Sequence, residues 1–394
     1  MLKKFFLFLT AAIFLSGCCF RGTPEYHKFT AHFSDERTEL FCDGEKWDFA
    51  RFLQAELTAH PEMECADLVK FCCQAAFGID RGAENGRKRF FAEFESVKPD
   101  SSLELILVTS PDTARVNLAA WKAAGLPPEW LFRMSVVESE FSDSKQKMQE
   151  YVNIAAAMIP AGKMKFTADE FRQVAKQCLS DHRHLRHSQS YRKNTPAYRI
   201  ISTRYFHTIP ALRKAAAMTR KNDGTPLVIA IDGRSASGKT TLANQLKIIL
   251  NAQVIHMDDF FLPLAMRTEM RYNEAGGNVH YERFKEEVLP NLKKPYAFSY
   301  RIFDCKKKCF NGNRMVWENS SWRIVEGAYS HHRQFGNYAD LKIFYDIDPA
   351  EQMRRINNRN GAQAAKAFQS KWIPLEEKYI HTFSVDKNAD LILK

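Results

Sequence analysis

Four sets of side chains in this sequence have the types and spacing that chemistry needs. Gly233-Arg-Ser-Ala-Ser-Gly238-Lys239-Thr240 begins where the apolar run Leu227 to Ile231 ends, and it opens into an amphipathic stretch reaching about Leu250. Glycines at 233 and 238 let the backbone turn its N–H groups inward as a cradle for an anion. Lys239 is spaced to reach terminal phosphates, the Thr240 hydroxyl to hold Mg²⁺, and the helix N-terminus adds partial positive charge. Ser235, Ser237 and Thr241 belong to the same phosphate-binding stretch. A second apolar run, Gln253 to His256, leads into Asp258-Asp259, and a third, Trp322 to Val325, leads into Glu326. Carboxylates there stand at the carboxyl ends of strands, where open α/β sheets bind their ligands, although acids also cap turns. Arg355 and Arg359, four residues apart, share one helical face and could close over phosphates or form a solvated basic helix.

The rest of the chain must position these groups. Its 394 residues, 45% hydrophobic and 26% charged, suggest two or three packed domains and exclude a disordered chain, a collagen repeat and a coiled coil. No apolar run after the first twenty residues approaches the roughly 20 that a membrane helix needs. The 57 Lys+Arg against 46 Asp+Glu leave a formal charge of +11, which favours anionic partners: a nucleotide, a phosphorylated metabolite, nucleic acid or a membrane surface. Nine cysteines, an odd number with no Cys-x-x-Cys pair, argue for free thiols over a disulfide framework. Cys305 and Cys309 lack the second Cys or His pair that a zinc site requires.

Residues 1–17 are signal-like: Lys3 and Lys4 precede an apolar stretch, Phe5 to Leu15, which ends in Leu15-Ser16-Gly17-Cys18. This resembles a bacterial lipoprotein signal, which implies a membrane-anchored protein with Cys18 as its lipidated first residue. A frayed apolar terminus or a start codon assigned too early would leave the protein cytoplasmic. Residues 18–45 are polar and unpatterned, as a tether would be. From 46 to 205 the pattern is mainly helical, over Trp47 to Ala59, Pro61 to Phe77, Arg87 to Val97, Pro128 to Phe141 and Asp143 to Ile159, and Thr167-Ala-Asp-Glu170 is a capping box opening a helix to about Leu179. Asp181 to Lys193 breaks the pattern with a burst of His and Arg and reads as a solvated loop, an anion contact or, least favoured, a metal site. Ala211 to Met218 is a short helix, and Lys221-Asn-Asp-Gly224 is a turn cluster at the boundary of the last domain, 210–394.

The strand-terminal elements in this order resemble the uridine kinase and phosphoribulokinase group of P-loop kinases, and more closely an uncharacterised bacterial uridine kinase-like branch. The resemblance covers about 210 to 394. It is carried by GRSASGKTT (233–241), HMDDFF (256–261), RTEMRYNEAGGNVHYERF (267–284), FSYRIFDC (298–305), IVEGAYS (324–330), RINNRNG (355–361), WIPLEEKY (372–379) and ADLIL (389–393). It implies a Rossmann-like parallel sheet, so that the chain is α/β with a P-loop NTPase domain behind a mainly α-helical one. It also implies ATP and Mg²⁺, with Asp258 taking the proton from a substrate hydroxyl and lying at the metal, Glu326 completing the magnesium shell with Thr240, and Lys239, Arg355 and Arg359 acting on the phosphates.

The expected activity is ATP-dependent phosphoryl transfer to a hydroxyl of a small nucleoside-like or sugar-like metabolite. One departure bears on the acceptor. Where uridine kinases carry an N-x-D segment to grip the ribose hydroxyls, this chain has Asn278-Val279-His280, with Tyr281 and Arg283 beside it. A histidine cannot accept two hydroxyl hydrogens as a carboxylate does, so the pocket is expected to disfavour uridine and to suit an anionic group pairing with His280 and Arg283. The competing class is a nucleotide-gated binding protein whose helical domain and basic surface contact RNA or a protein partner. Nucleic acid fits the charge but is not favoured, because the base, the metal acids and the lid arginines are all present. In the first half, His187 to Arg192 and Pro196 to Arg199 resemble an uncharacterised module found with such kinase-like domains, which makes His187, Tyr191 and Arg199 candidates for facing the kinase cleft.

Overall fold

The computed structural model of the chain describes residues 29–33, 38–42, 45–78, 83–136, 144–159, 164–181, 186–218, 224–305, 307–318 and 320–394. The signal-like segment with Cys18 and most of the turn cluster at 221–224 lie outside the described residues. Two compact units divide the chain, Met1–Phe206 and His207–Lys394. No described helix is long and apolar enough to cross a membrane.

The N-terminal unit contains β1 (Phe29–Phe33), β2 (Thr38–Cys42), β3 (Glu45–Trp47), α1 (Phe49–Ala59), α2 (Cys65–Phe77), α3 (Ala83–Ser96), β4 (Ile106–Val108), β5 (Thr113–Asn117), α4 (Leu118–Ala123), α5 (Pro128–Val136), α6 (Ser144–Met158), α7 (Ala168–Asp181), α8 (Gln189–Asn194) and β6 (Tyr198–Ser202). Where a tether was expected, β1, β2 and β3 pair antiparallel; the alternation in Phe29-Thr-Ala-His-Phe33 is the period of a strand. A second antiparallel sheet, β4-β5-β6, joins segments that the helical reading had passed over, because three to five residues give too little periodicity to stand out. The capping box is formed: Thr167 N–H donates to Glu170 at 2.7 Å and Glu170 N–H to Thr167 Oγ1 at 3.2 Å.

The His-rich stretch is no solvated loop from His187 onward. His187 is buried, its Nδ1 2.8 Å from Asp67 and its Nε2 2.6 Å from the Tyr198 hydroxyl. Tyr191 donates to Glu56 at 2.5 Å, and Arg199 pairs with Glu93. These three candidates for a kinase-facing surface thus take partners inside the N-terminal unit, two of them from its core.

The C-terminal unit runs α9 (Ile209–Ala216), β7 (Leu227–Gly233), α10 (Lys239–Leu250), β8 (Gln253–His256), α11 (Glu269–Asn273), α12 (Tyr281–Glu287), β9 (Phe298–Asp304), β10 (Cys309–Val316), β11 (Trp322–Glu326), β12 (Leu341–Tyr345), α13 (Pro349–Ala367), α14 (Ile373–Phe383) and β13 (Leu391–Leu393). Five strands form one parallel sheet in the order β13-β12-β7-β11-β8. Val228 to Ile231 are fully buried, the continuous apolar run of a strand covered on both faces. The chain leaves β7 toward β8 on one side and later adds β12 on the other, so the strand order reverses at β7, and ligands of such sheets bind outside the carboxyl ends at that point. Outside the sheet, β9 and β10 form a hairpin with a register shift between Phe310 and Asn313. α13 is interrupted at Gly361, where φ is +78°.

Candidate active site

The loop between β7 and α10 is built on close approach. A Cβ at Gly233 would lie 2.1 Å from the Tyr345 carbonyl oxygen, and at φ +141° only glycine sits easily. Gly238 at φ +111° starts α10, with the Tyr345 ring against it. The Lys239 ammonium is buried and donates to the carbonyls of Gly233 at 2.8 Å and Arg234 at 2.7 Å. Ser237 is buried with its hydroxyl unmatched, an orphaned donor in a loop that ends at a helix N-terminus. Such an arrangement fits phosphate oxygens. Ser235 gives both its N–H, at 2.9 Å, and its hydroxyl to Glu376 of α14. Thr241 is exposed on α10.

Two further strand ends deliver acids to the same edge. Glu326, at the end of β11, is buried; its Oε2 accepts from Thr240 Oγ1 at 3.1 Å and its Oε1 lies 2.5 Å from His256 Nδ1. Asp258 follows β8 and is exposed, while the protein around it displaces enough water to raise its carboxyl above the ordinary value. Desolvation is the first cause, Glu326 the second, and Lys239 and His256 oppose them. Among the described residues no three His, Cys, Asp or Glu side chains converge as a protein-only metal cage. Two crowded carboxylates and a threonine hydroxyl instead fit Mg²⁺, which keeps waters and takes its other ligands from phosphates.

Asp259 faces the other way. It is buried and accepts from Tyr300 of β9 at 3.1 Å and Arg314 of β10 at 2.9 Å. The acceptor-side residues divide likewise. Asn278 is buried and bonded to Tyr329, and Tyr281 stacks on His332 at 5.0 Å under the Arg271 guanidinium, 3.9 Å from its ring. His280 caps α12, its Nδ1 facing Arg283 N–H at 3.3 Å and Glu282 at 3.1 Å, which leaves Nε2 for a ligand. Arg283 departs from expectation: it is 2% exposed, sits over Phe260 at 4.3 Å and donates to the carbonyls of Asp259 and Arg301. Three residues beyond His280 on a short helix, its side chain turns into the core, so its guanidinium is not set beside His280 to pair with an anionic group of the acceptor.

Arg355 reaches the loop, its NH1 3.4 Å from the carbonyls of Ala236 and Ser237. Arg359 is exposed and bonds its neighbour Asn360 at 2.9 Å, so the structure does not bring the two arginines together at the loop. Sequence reasoning missed Glu376 and Glu377, which hold Ser235 and Arg234. It also missed Asp232, buried beneath the loop and accepting from Tyr379 at 2.8 Å. The paired acids in Trp372 to Tyr379 were the one available signal.

A parallel sheet with its phosphate loop after the first strand and carboxylates on two neighbouring strand ends defines the P-loop α/β class. No family model matches the chain. Among curated proteins it is 24% identical over 188 residues to the uridine kinase of Ureaplasma parvum serovar 3, covering 43% of this chain and 90% of that one. It is 25% identical over 162 residues to uridine-cytidine kinase A of Dictyostelium discoideum, covering 39% of this chain but only 32% of that relative's length. Among solved structures, a possible uridine kinase from Bacillus stearothermophilus is 23% identical with a TM-score of 0.38, covering 48% of this chain and 98% of that one. D-glycerate 3-kinase from Cryptococcus neoformans is 16% identical with a TM-score of 0.32, covering 44% and 86%. The C-terminal unit is thus a P-loop α/β domain that is similar, at low identity, to uridine kinases and other small-molecule kinases.

Proposed function

We propose that the chain transfers the γ-phosphoryl group of ATP to a hydroxyl of a small nucleoside-like or sugar-like metabolite. The observation that carries this reading is Asp258, exposed just past the end of β8 beside the phosphate loop's Lys239, with its carboxyl raised by desolvation and by Glu326. A carboxylate so placed can take the proton of an acceptor hydroxyl, and a raised pKa makes it the stronger base. Lys239 and Arg355 supply the cations that offset charge on the transferred group. Mg²⁺, held by Thr240 and Glu326 with Asp258 beside it, would neutralise the phosphates.

The test is a screen of the full chain with ATP and Mg²⁺ against nucleosides, sugars and hydroxy acids, following ADP release. Acceptor-dependent ADP release that disappears in Asp258→Asn is the expected result. Release no greater than that of Lys239→Ala with every acceptor would overturn the proposal.

A further inference from the structure

Ala236, in the middle of the phosphate loop, has φ +60°. This is the left-handed region, which a residue bearing a Cβ adopts only when its surroundings impose it. The surroundings here come from two helices more than a hundred residues later. Before Ala236, Ser235 gives its N–H and hydroxyl to the two oxygens of Glu376, and the Ser235 carbonyl accepts from Gln352 Nε2 at 3.0 Å. After it, Arg355 approaches the Ala236 and Ser237 carbonyls at 3.4 Å. Arg234 is held by Glu377 through two bonds, at 2.6 and 3.0 Å, and by Asp346.

Of these groups, Glu376 would be costly to bury without Ser235. It is 7% exposed, and its pKa is raised by burial, partly offset by Lys239 and by the Ser235 hydrogen bonds. We infer that Glu376 is a positioning residue for nucleotide binding, one that imposes from α14 the left-handed turn at Ala236 that a glycine would adopt unaided. The inference rests on the nucleotide reading of the loop.

The test is a calorimetric titration of the full chain with Mg-ATP, using wild type, Glu376→Ala, Ala236→Gly and the double variant. Loss of the imposed turn should weaken nucleotide binding about tenfold in Glu376→Ala. Ala236→Gly should restore most of that loss, because glycine enters the left-handed region without penalty, and should gain far less in the parent. A merely structural glutamate would give no such rescue by a distant backbone substitution. Thermal melts establish that each variant is folded; if Glu376→Ala is not, the isosteric Glu376→Gln is titrated instead, with a smaller loss and the same rescue expected. Wild-type binding with an unchanged Glu376 variant, or a loss that Ala236→Gly fails to restore, overturns this inference alone. A wild type that binds no nucleotide overturns the kinase reading and this inference with it.

Discussion

Asp259 accepts a hydrogen bond from Arg314 Nε at 2.9 Å, and this pairing separates its duty from that of Asp258, its neighbour in sequence. Asp259 ties the β9-β10 hairpin to the end of β8, whereas Asp258 stays exposed. Asp258→Asn should therefore lose about 10² to 10⁴ in turnover, the worth of a positioned base, with nucleotide affinity kept. Asp259→Asn should lose about 1 to 3 kcal/mol of stability by disturbing a buried polar group. Steady-state rates and thermal melts on the two variants check this, and exchanged phenotypes would reassign the base.

Lys239 is the cation best placed to follow phosphate, because its present partners are backbone carbonyls of its own loop. Lys239→Ala should weaken Mg-ATP binding by two orders of magnitude or so, the scale expected when a charge-assisted hydrogen bond is removed from a buried site. Calorimetry on folded variant and wild type decides it; equal affinities contradict the phosphate role.

His332 gives the unit a pH dependence. Burial, opposed by Glu274, pushes its imidazole down to about 4, against an ordinary 6.5. Between those values the unfolded chain binds a proton that the folded one refuses, so stability rises with pH across the window and falls as acid is added. The loss by pH 5 should be on the order of 2 kcal/mol, with His207, also at about 4, adding a similar amount. His332→Asn keeps an oxygen to cap Gln334 and removes the titration, so its melting temperature should drop less than that of wild type between pH 7 and pH 5.

His280 bears on the acceptor. Its Nδ1 is taken up within α12, accepting from Arg283 N–H or, in the other tautomer, donating to Glu282, so a single ring nitrogen remains where a carboxylate would accept two hydroxyls. Uridine and cytidine should be poor acceptors, by about ten- to a hundredfold, the effect of one unmatched buried hydroxyl. His280→Asp should improve them. Kinase assays with both nucleosides check this, and ordinary rates with the unmodified protein refute it.

What could be read in the sequence was what has a local signature. The phosphate loop announces itself because its glycines, lysine and threonine lie within eight residues between a strand and a helix. The acids after β8 and β11 were placed by the same local logic. The sheet β4-β5-β6 was not, since β5 pairs with a strand more than eighty residues later and neither is long enough to show its own period. Glu376 escaped for a similar reason: it meets Ser235 across 141 residues, a pairing that exists only once α14 has docked. Arg283 shows the converse limit. Closeness to His280 in sequence suggested a shared pocket, but His280 turns back to cap the start of α12 while Arg283 turns into the core.

The close approach of Gly233 to the Tyr345 carbonyl governs how an inactive control should be made. Because a methyl group at 233 would collide with β12 itself, replacing this glycine would push apart two central strands before it touched any ligand. Loss of activity in a Gly233 variant would thus report on sheet integrity as much as on nucleotide use. Lys239, whose side chain can be removed without breaching the sheet, is the position at which binding and folding can be interrogated separately.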